Sequence, residues 1–232
     1  MFDGKNKAVT FSFDDGIEQD YRVIEILDKY KLKGTFNLNT GLFNCKGTLD
    51  LEGVTVPFNR LCAAEIKQAY NNHEVAVHTV THPNLTQLST EEIVKEVEED
   101  RKYLSELCGY EVVGMAYPCG GVNNDRRVAE ILKNYTGVKY SRTITSTGDF
   151  KIQDNLYRFN PTAHFINYDE IFLRAEEFLK IDSDEPQLFY IWGHAFEFDI
   201  ANTWDRFEDF CKLISGHSDV FYGTNRQVLL QR

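Results

Sequence analysis

Short apolar runs alternate with longer stretches that carry an apolar stripe on one helical face. A short apolar run rich in β-branched and aromatic side chains is typical of a buried strand, whereas a stripe repeating every three to four residues predicts an amphipathic helix. We predict strands at residues 8–13, 35–38, 74–79, 112–117, 138–143, 157–165, 188–192 and 220–222. Helices are predicted at residues 23–30, 93–104, 128–135, 171–179 and 207–214.

This alternation of strand and helix predicts the fold class and the number of domains. Strands separated by helices pair in parallel, so the chain belongs to the α/β class. Seven or eight such units in 232 residues favour a (β/α) barrel, and no linker rich in Pro, Gly or Ser divides the chain. We therefore expect residues 1–232 to form one barrel domain. In residues 41–59 the apolar positions alternate around Glu52-Gly53, which predicts a hairpin or loop insertion at the active-site end.

Charge and cysteine content exclude several kinds of partner and site. The chain has 25 Lys and Arg against 36 Asp and Glu, a formal net charge of −11. Because such a balance repels phosphate backbones, we expect no nucleic-acid partner. The five cysteines form no Cys-x-x-Cys spacing, which argues against a disulfide framework and a thiolate zinc site. Apolar sequence begins by Ala8 and no run approaches a membrane helix, so we expect a cytoplasmic protein without a signal peptide.

Several predicted strands end in ionisable side chains. The first ends at Asp14 and Asp15, the third runs into His78 and then His82, and the seventh is followed by His194. In parallel α/β barrels the carboxyl ends of the strands form the active site. Adjacent carboxylates leaving a buried strand also need a cation or a proton to relieve their repulsion. A turn, or histidines on the surface or in the core, explains each cluster singly; together the clusters predict an active site.

The cluster at the first and third strands has the composition of a catalytic metal site. Two histidines and one carboxylate are used by proteins to hold zinc or iron with positions left open. Asp15, His78 and His82 are therefore predicted to bind a divalent metal, with zinc preferred over cobalt, nickel or iron. Such a metal lowers the pKa of a bound water to about 7. Asp14 is then expected to act as general base and His194 as the acid that protonates the leaving group.

The order of these motifs resembles that of a known family. The motifs are Ser12-Phe13-Asp14-Asp15-Gly16, His78-Thr79-Val80-Thr81-His82-Pro83, Tyr117-Pro118-Cys119-Gly120 and Trp192-Gly193-His194. Over residues 8–194 they resemble the polysaccharide deacetylases, the NodB-homology enzymes of carbohydrate esterase family 4. The resemblance implies a distorted barrel, usually of seven strands, and metal-dependent removal of an N- or O-acetyl group from a saccharide. It implies the same roles for Asp14, His194 and the three metal ligands, and an oxyanion contact from the Cys119 backbone N–H.

Several positions depart from the family's pattern. The third motif usually carries an Arg two residues before its proline, where this chain has Ala116. Because that Arg normally orients the catalytic Asp, we hypothesise that Arg142 supplies the missing charge. The aromatic residue that usually follows the proline is Cys119, which we interpret as a backbone contributor because no adjacent base is evident. The family's fourth motif, which carries Asp and Trp, has no clear equivalent.

Weaker substrate-side candidates lie in and beside the motifs. Trp192 stands where the family commonly has Leu and is a candidate wall of the acetyl pocket, with an inward barrel aromatic as the equal alternative. Tyr117, in the third motif, is a second such candidate. Asn37 and Asn39 close the second predicted strand, where they either bind sugar hydroxyls or serve a turn or cap.

Three more candidates lie on or beyond the later strands. Glu197 and Asp199 follow His194 closely and are candidates for orienting it or contacting substrate, with a solvated loop as the alternative. His164, at the end of a predicted strand, is a candidate lining residue of the cleft.

Three functions compete on this basis. The leading one is hydrolysis of an acetylated saccharide or sugar conjugate. The second is hydrolysis of a non-sugar amide, such as a cyclic ureide or formyl amide, by the same fold; the expected absence of a secretion signal favours small substrates. The third is a non-catalytic carbohydrate-binding relative, which the missing Arg at position 116 keeps open. A purely structural barrel would not need five ionisable strand-end groups. The oligomeric state is left open.

Overall fold

The computed structural model describes residues 2–230, and within them ten strands and eight α-helices alternate. The strands are β1 (Lys7–Asp14), β2 (Gly34–Leu38), β3 (Thr48–Leu51), β4 (Val54–Pro57), β5 (Glu74–Val77), β6 (Gly114–Ala116), β7 (Tyr140–Arg142), β8 (Ala163–His164), β9 (Gln187–His194) and β10 (Val220–Tyr222). The helices are α1 (Asp20–Lys29), α2 (Ala63–Ala69), α3 (Thr90–Cys108), α4 (Arg126–Tyr135), α5 (Tyr168–Lys180), α6 (Phe196–Ile200), α7 (Trp204–Ile214) and α8 (Asn225–Leu230).

Eight strands form one sheet in which every pairing is parallel. Its order is β7-β6-β5-β2-β1-β9-β8, and β10 pairs with the first residues of β1. Phe159 links β7 to the segment before β8: its N–H donates to Ser141 O at 3.0 Å, and its carbonyl accepts from Thr143 N–H at 2.9 Å. The sheet therefore curls into a distorted barrel of seven principal parallel strands, which confirms the predicted fold class.

Aromatic side chains fill the space between the barrel and its outer helices. Phe11 on β1 meets Phe207 and Phe210 of α7 edge-on, with ring centroids 6.4 and 6.2 Å apart. Phe165 packs against the same two α7 rings at 5.2 Å. Such pairs contribute about 0.5–1.5 kcal/mol each beyond the burial of their surface. These contacts hold α7 against β1, the strand that ends in Asp14, and against the residue that follows β8.

Helix α3 begins at a capping box. Ser89 and Glu92 form a capping box, in which Ser89 N–H donates to Glu92 Oε2 at 2.8 Å and Glu92 N–H donates to Ser89 Oγ at 3.3 Å. The apolar stripe formed by Ile93, Val97 and Leu104 is fully buried. None of the helices within residues 2–230 combines the length and the hydropathy needed to cross a membrane.

The predicted strand at residues 157–165 is wrong. The structure has a single 3₁₀ turn at Leu156–Arg158 and the two-residue strand β8 there. Pro161 lies between them, and since proline has no N–H it cannot extend a strand ladder. Helices α2, α6 and α8 were not predicted because five to seven residues are too few to show a helical period.

Strands β3 and β4 form an antiparallel hairpin in which Leu51 pairs with Val54. Its turn residues Glu52 and Gly53 have φ of 52° and 81°, the left-handed values that a two-residue hairpin turn requires. After the hairpin, Leu61 N–H donates to Gly16 O at 2.9 Å. The insertion is thus attached to the turn that follows Asp14 and Asp15.

Candidate active site

Asp14, the last residue of β1, is only 2% exposed and is held on several sides. Arg142 Nη2 contacts both of its carboxylate oxygens, at 2.6 and 2.5 Å, and Asn37 Nδ2 donates to Oδ1 at 2.8 Å. Burial by itself would raise the pKa of Asp14, but Arg142, with His78 and His194 nearby, holds that pKa below its ordinary value. Asp14 is therefore an ionised, tightly oriented carboxylate, and Arg142 lies where the sequence hypothesis requires it.

The two asparagines that close the second predicted strand hold the elements around the site. Asn37 is fully buried, and its amide also donates to Ser12 Oγ at 2.9 Å, so it orients Asp14. Asn39 Nδ2 donates to the carbonyls of His78 and Thr79, at 2.5 and 2.9 Å. These contacts favour a positioning role for both residues over the binding of sugar hydroxyls, since the Asn37 amide is engaged by β1 and the Asn39 amide by the loop that carries His78.

Asp15, His78 and His82 come together at the mouth of the barrel, with one donor atom from each lying within 4.8 Å of the others. Their turns have unusual backbone conformations: Asp15, Thr79 and His82 have φ of 89°, 71° and 63°. Non-glycine residues in this region cost of order 1–3 kcal/mol each and cluster at functional sites. The backbone is therefore strained in the turns that direct the three donor side chains to one point.

The donor atoms of this group fit a divalent metal. His78 Nδ1 lies 2.9 Å from the carbonyl of Ala116, which can only accept, so this nitrogen carries the proton and Nε2 is left free. Burial lowers the pKa of His78 to about 4, which keeps the ring neutral. Asp15 Oδ1 is buried and accepts no hydrogen bond, although Arg60 Nη1 lies 3.0 Å away. A neutral imidazole and an unpartnered buried carboxylate oxygen are the state that a metal ligand requires.

Helix α3 supports the loop that carries the two histidines, a role that the sequence interpretation missed. Asp100 is fully buried and accepts from the backbone N–H of His78 at 3.1 Å and of Thr40 at 2.8 Å. One turn earlier, Glu96 accepts from the N–H and hydroxyl of Thr81, at 2.9 and 2.8 Å. A signal was present in the sequence: Asp100 falls on the same helical face as the apolar stripe of α3.

Arg60 is a second residue that the sequence interpretation missed. It is 6% exposed, and its Nη1 donates to the backbone carbonyl of Asp15 and to Asn39 Oδ1, the latter at 3.0 Å. Burial would raise the pKa of Asp15, but His194 and Arg60 hold that pKa below its ordinary value. No sequence motif marks Arg60, because its position depends on how the hairpin insertion folds back onto β1.

His194 ends β9 on the other side of Asp14. Its Nε2 lies 3.9 Å from Asp14 Oδ2, and its Nδ1 lies 3.0 Å from Glu197 Oε1. Burial lowers the pKa of His194, but Glu197 outweighs this effect and raises the pKa to about 9. His194 is therefore protonated at neutral pH, as a general acid must be. Asp199 does not share in this contact, because it accepts from Trp204 Nε1 at 2.7 Å.

A cavity of about 190 Å³ joins these groups. Its lining residues are Asp14, Asp15, His78, His82, Tyr117, Cys119, Gly120, Ile144, Trp192 and His194. Tyr117 contributes only wall, because its hydroxyl donates to Tyr157 O at 2.7 Å. Cys119, at φ 68°, places its Sγ 3.4 Å from His82 O. Trp192 forms a further wall, as the sequence suggested.

Comparison with known proteins identifies the family. A family model described as polysaccharide deacetylase matches residues 3–138. The chain belongs to this family. It is similar to a peptidoglycan-N-acetylglucosamine deacetylase, PgdA, of Listeria monocytogenes (28% identity) and to a peptidoglycan-N-acetylmuramic acid deacetylase, PdaC, of Bacillus subtilis (26%). Each match covers 127 residues, 54% of this chain and 24% of the relative. The chain therefore spans about a quarter of the length of these polysaccharide deacetylases.

The fold is also that of solved family 4 carbohydrate esterases. A mutant of BA3943 of Bacillus anthracis, a family pseudoenzyme with restored enzymatic activity, aligns with a TM-score of 0.61 and 22% identity. The alignment covers 97% of this chain and 68% of that protein. At this identity the likeness supports the deacetylase fold alone. The single-domain organisation and the cytoplasmic location expected from the sequence stay predictions.

Proposed function

We propose that this polysaccharide deacetylase is an active, metal-dependent hydrolase that removes an acetyl group from the amide nitrogen of a saccharide. The observation that carries the proposal is the position of Asp14 between two sets of groups. Arg142 holds its carboxylate ionised, and Oδ2 lies 4.0 Å from His78 Nε2 and 3.9 Å from His194 Nε2. A base, an acid and a metal donor set thus converge within one small cavity.

Asp15, His78 and His82 are the residues that would hold the metal. A divalent cation bound there would supply Lewis acidity towards the acetyl carbonyl and would lower the pKa of a water molecule to about 7. The donor set accepts zinc, cobalt, nickel or iron, and we propose zinc as the ion used. Arg60 and Asp100 keep the carboxylate and the dihistidine loop in place.

The side chains supply the two proton transfers. Arg142 contacts both oxygens of Asp14, but Asn37 donates only to Oδ1, and Oδ2 lies beside the two histidines; Oδ2 is therefore proposed to accept the proton of the attacking water. The backbone N–H of Cys119 is proposed to bind the oxyanion that then develops. As the C–N bond breaks, His194 gives its Nε2 proton to the departing nitrogen, and the amine leaves neutral. The pKa of about 9 keeps this proton on His194 until that step.

The cavity size favours a substrate that enters by its acyl end. At about 190 Å³ it is smaller than the roughly 300–1,000 Å³ of sites that enclose a whole ligand. Trp192, Tyr117 and Ile144 line this cavity, and we propose that the acetyl group enters beside them while the remainder of the substrate stays outside. The N-acetyl sugars named for the bacterial relatives match this shape, and we extend them to this chain as the substrate class.

The test compares the wild type with Asp14→Asn, together with Asp184→Asn as a matched control on the surface. Bound metal is measured first, then acetate release from N-acetylglucosamine oligomers and acetylated xylose oligomers. We expect one divalent ion per chain in all three proteins. Acetate release should fall by about 100-fold or more in Asp14→Asn, the lower end of what general base catalysis supplies, and stay unchanged in Asp184→Asn.

Other outcomes would favour the alternatives. Metal binding without acetate release from any acyl sugar, combined with turnover of a formyl amide or a cyclic ureide, would identify a non-sugar amide hydrolase. Metal binding with no turnover of any of these substrates would support a non-catalytic carbohydrate-binding relative. A folded protein that binds no metal would contradict the proposed mechanism.

A further inference from the structure

We propose that His164 is a positioning residue for the catalytic acid: it fixes the carboxylate of Glu197, which in turn fixes the ring of His194. The inference rests on the proposed role of His194 as general acid. It goes beyond that role because His164 lies on a different strand, β8, and does not face Asp14 or the metal donor set.

The carboxylate of Glu197 is shared between two histidines. His194 reaches it twice, through Nδ1 to Oε1 at 3.0 Å and through its backbone N–H to Oε2 at 3.1 Å. His164 Nε2 lies 3.0 Å from each oxygen. The Glu197 side chain is only 12% exposed, and the two histidines hold its pKa well below the ordinary range, although burial would raise it. Glu197 is therefore a permanent anion whose position depends on both rings.

An ionised carboxylate can only accept hydrogen bonds, so the ring nitrogen of each histidine that contacts it must carry a proton. His194 must carry a proton on Nδ1 and His164 must carry one on Nε2. His194 Nε2 is then the atom that delivers a proton towards the cavity. If His164 did not hold Glu197, the carboxylate could rotate away from Nδ1 and the orientation of His194 would no longer be fixed.

The surrounding structure is built to hold His164. It pairs with Trp192 across β8 and β9, and its ring stacks on the indole with centroids 4.2 Å apart and planes at 19°. Between Trp192 and His194 stands Gly193. A Cβ at this position would come within 3.1 Å of Glu197 Oε2 and 3.6 Å of the His164 ring. The glycine thus leaves the space in which the carboxylate and the second histidine meet.

A positioning role predicts that the effect of His164 depends on the leaving group. An amine must be protonated as it departs, so its release needs a well-aligned His194. A nitrophenolate leaves readily without a proton. Damage to the acid alone should therefore slow amide hydrolysis and spare an activated ester, whereas general damage to the site should slow both reactions.

The test measures kcat for N-acetylglucosamine oligomers and for nitrophenyl acetate in His164→Leu, His164→Gln and the control His217→Leu. His217 lies outside the site, with its Nε2 3.0 Å from Leu213 O. We expect His164→Leu to lower amide turnover by about 10- to 100-fold, part of the 10²- to 10⁴-fold that acid catalysis supplies. Turnover of the ester should change by less than about threefold, because the acid is not needed there. His164→Gln, whose amide N–H can replace Nε2–H, should recover most of the loss.

Nitrogen NMR of the metal-free protein gives a readout that is independent of turnover. At a pH where His194 is neutral, its proton should reside on Nδ1 in the wild type and His164→Gln, and distribute over both nitrogens in His164→Leu. Equal losses for amide and ester, or an unchanged His194 tautomer in His164→Leu, would overturn the proposal. Failure of the proposed function itself is distinguishable, because the wild type would then release no acetate from these oligomers, while the His194 tautomer would still report on the role of His164.

Discussion

The two ends of the barrel both bury carboxylates, but they surround them differently. At the carboxyl ends of the strands, Asp14 is paired with the guanidinium of Arg142 and lies close to two histidines. At the opposite end, Glu74 begins β5 and accepts from the hydroxyls of Tyr140 and Thr35, at 2.9 and 3.0 Å. Cations hold the pKa of Asp14 below its ordinary value, whereas burial among neutral donors raises that of Glu74.

The two ends of the barrel have different roles: one carries the candidate catalytic groups, and the other holds the fold together. The N-terminal end is closed by α8, where Arg226 N–H donates to Glu74 Oε2 at 2.8 Å and Asn225 N–H donates to Thr35 Oγ1 at 2.9 Å. Gly114 is required there, because a Cβ at this position would come within 2.1 Å of the Tyr140 hydroxyl. Neutral hydrogen bonds suffice to seal one end of the barrel. The other end keeps Asp14 and Asp15 charged, and the backbone is strained at Asp15 and His82.

Removing the cation from the catalytic end should produce the largest effect. In Arg142→Ala the carboxylate of Asp14 is left buried without a partner, which costs about 3–5 kcal/mol of unfolding free energy. We expect kcat for acetate release to fall by about 100-fold or more, as for loss of the base itself. The pKa of Asp14 should rise, so the acidic limb of the kcat profile moves to higher pH. Chemical denaturation and pH–rate profiles measure these changes.

The controls for this variant separate charge from packing. Arg126→Ala removes an exposed Arg that pairs with Glu130. This variant should change neither the unfolding free energy nor the kcat for acetate release. The double variant Asp14→Asn/Arg142→Met removes the buried charges together and should recover stability without recovering turnover. Unchanged kinetics and an unchanged pH profile in Arg142→Ala would show that Arg142 does not replace the family Arg missing at Ala116.

A smaller effect is expected where a carboxylate of the catalytic end acts through the backbone. Asp100→Asn replaces one acceptor oxygen by a donor that opposes the N–H of His78 or Thr40. The dihistidine loop should loosen, and metal affinity should fall by about 10- to 100-fold, the usual effect of losing an outer-shell partner. Competition titration with a zinc-chelating dye measures it. Glu74→Gln is the matched control and should bind metal as the wild type does; equal affinities in all three proteins would contradict the assigned role.

The smallest effect should appear at the sealed end, as a pH dependence of stability. Because the pKa of Glu74 is raised above its ordinary 4.5, the native state binds this proton more tightly than the unfolded chain does. The contribution of the protonated group is complete below about pH 4.5 and is lost as the pH rises through the raised native value. Glu74→Gln should remove this loss, so the slope of unfolding free energy against pH between pH 4 and pH 8 should be less negative than in the wild type. Denaturant titrations at several pH values measure it, and a slope identical to the wild type would refute the prediction. Acetate release should stay unchanged.

The sequence by itself determined the order of the elements and the residue types at the strand ends. The periodicity of apolar side chains located the long helices and most strands, since this signal is local and repeats. It failed at residues 157–165, where Pro161 breaks the ladder, and at helices too short to show a period. Asp14, Asp15, His78, His82 and His194 could be singled out because chemical types that are unusual at strand ends do not depend on knowing the fold.

Only the tertiary structure decided which groups support those side chains. Arg142 and Asp14 are 128 residues apart in the chain and meet because β1 and β7 both project into one barrel. Asp100 faces inward with the apolar stripe of α3, but the backbone N–H groups of His78 and Thr40 that it binds belong to other elements. Arg60 reaches Asp15 only once the hairpin insertion has folded back. His164 reaches Glu197, the residue that contacts His194, through the register of β8 on β9. Such contacts are non-local, and their free energy depends on burial and angle, neither of which a residue type or a spacing encodes.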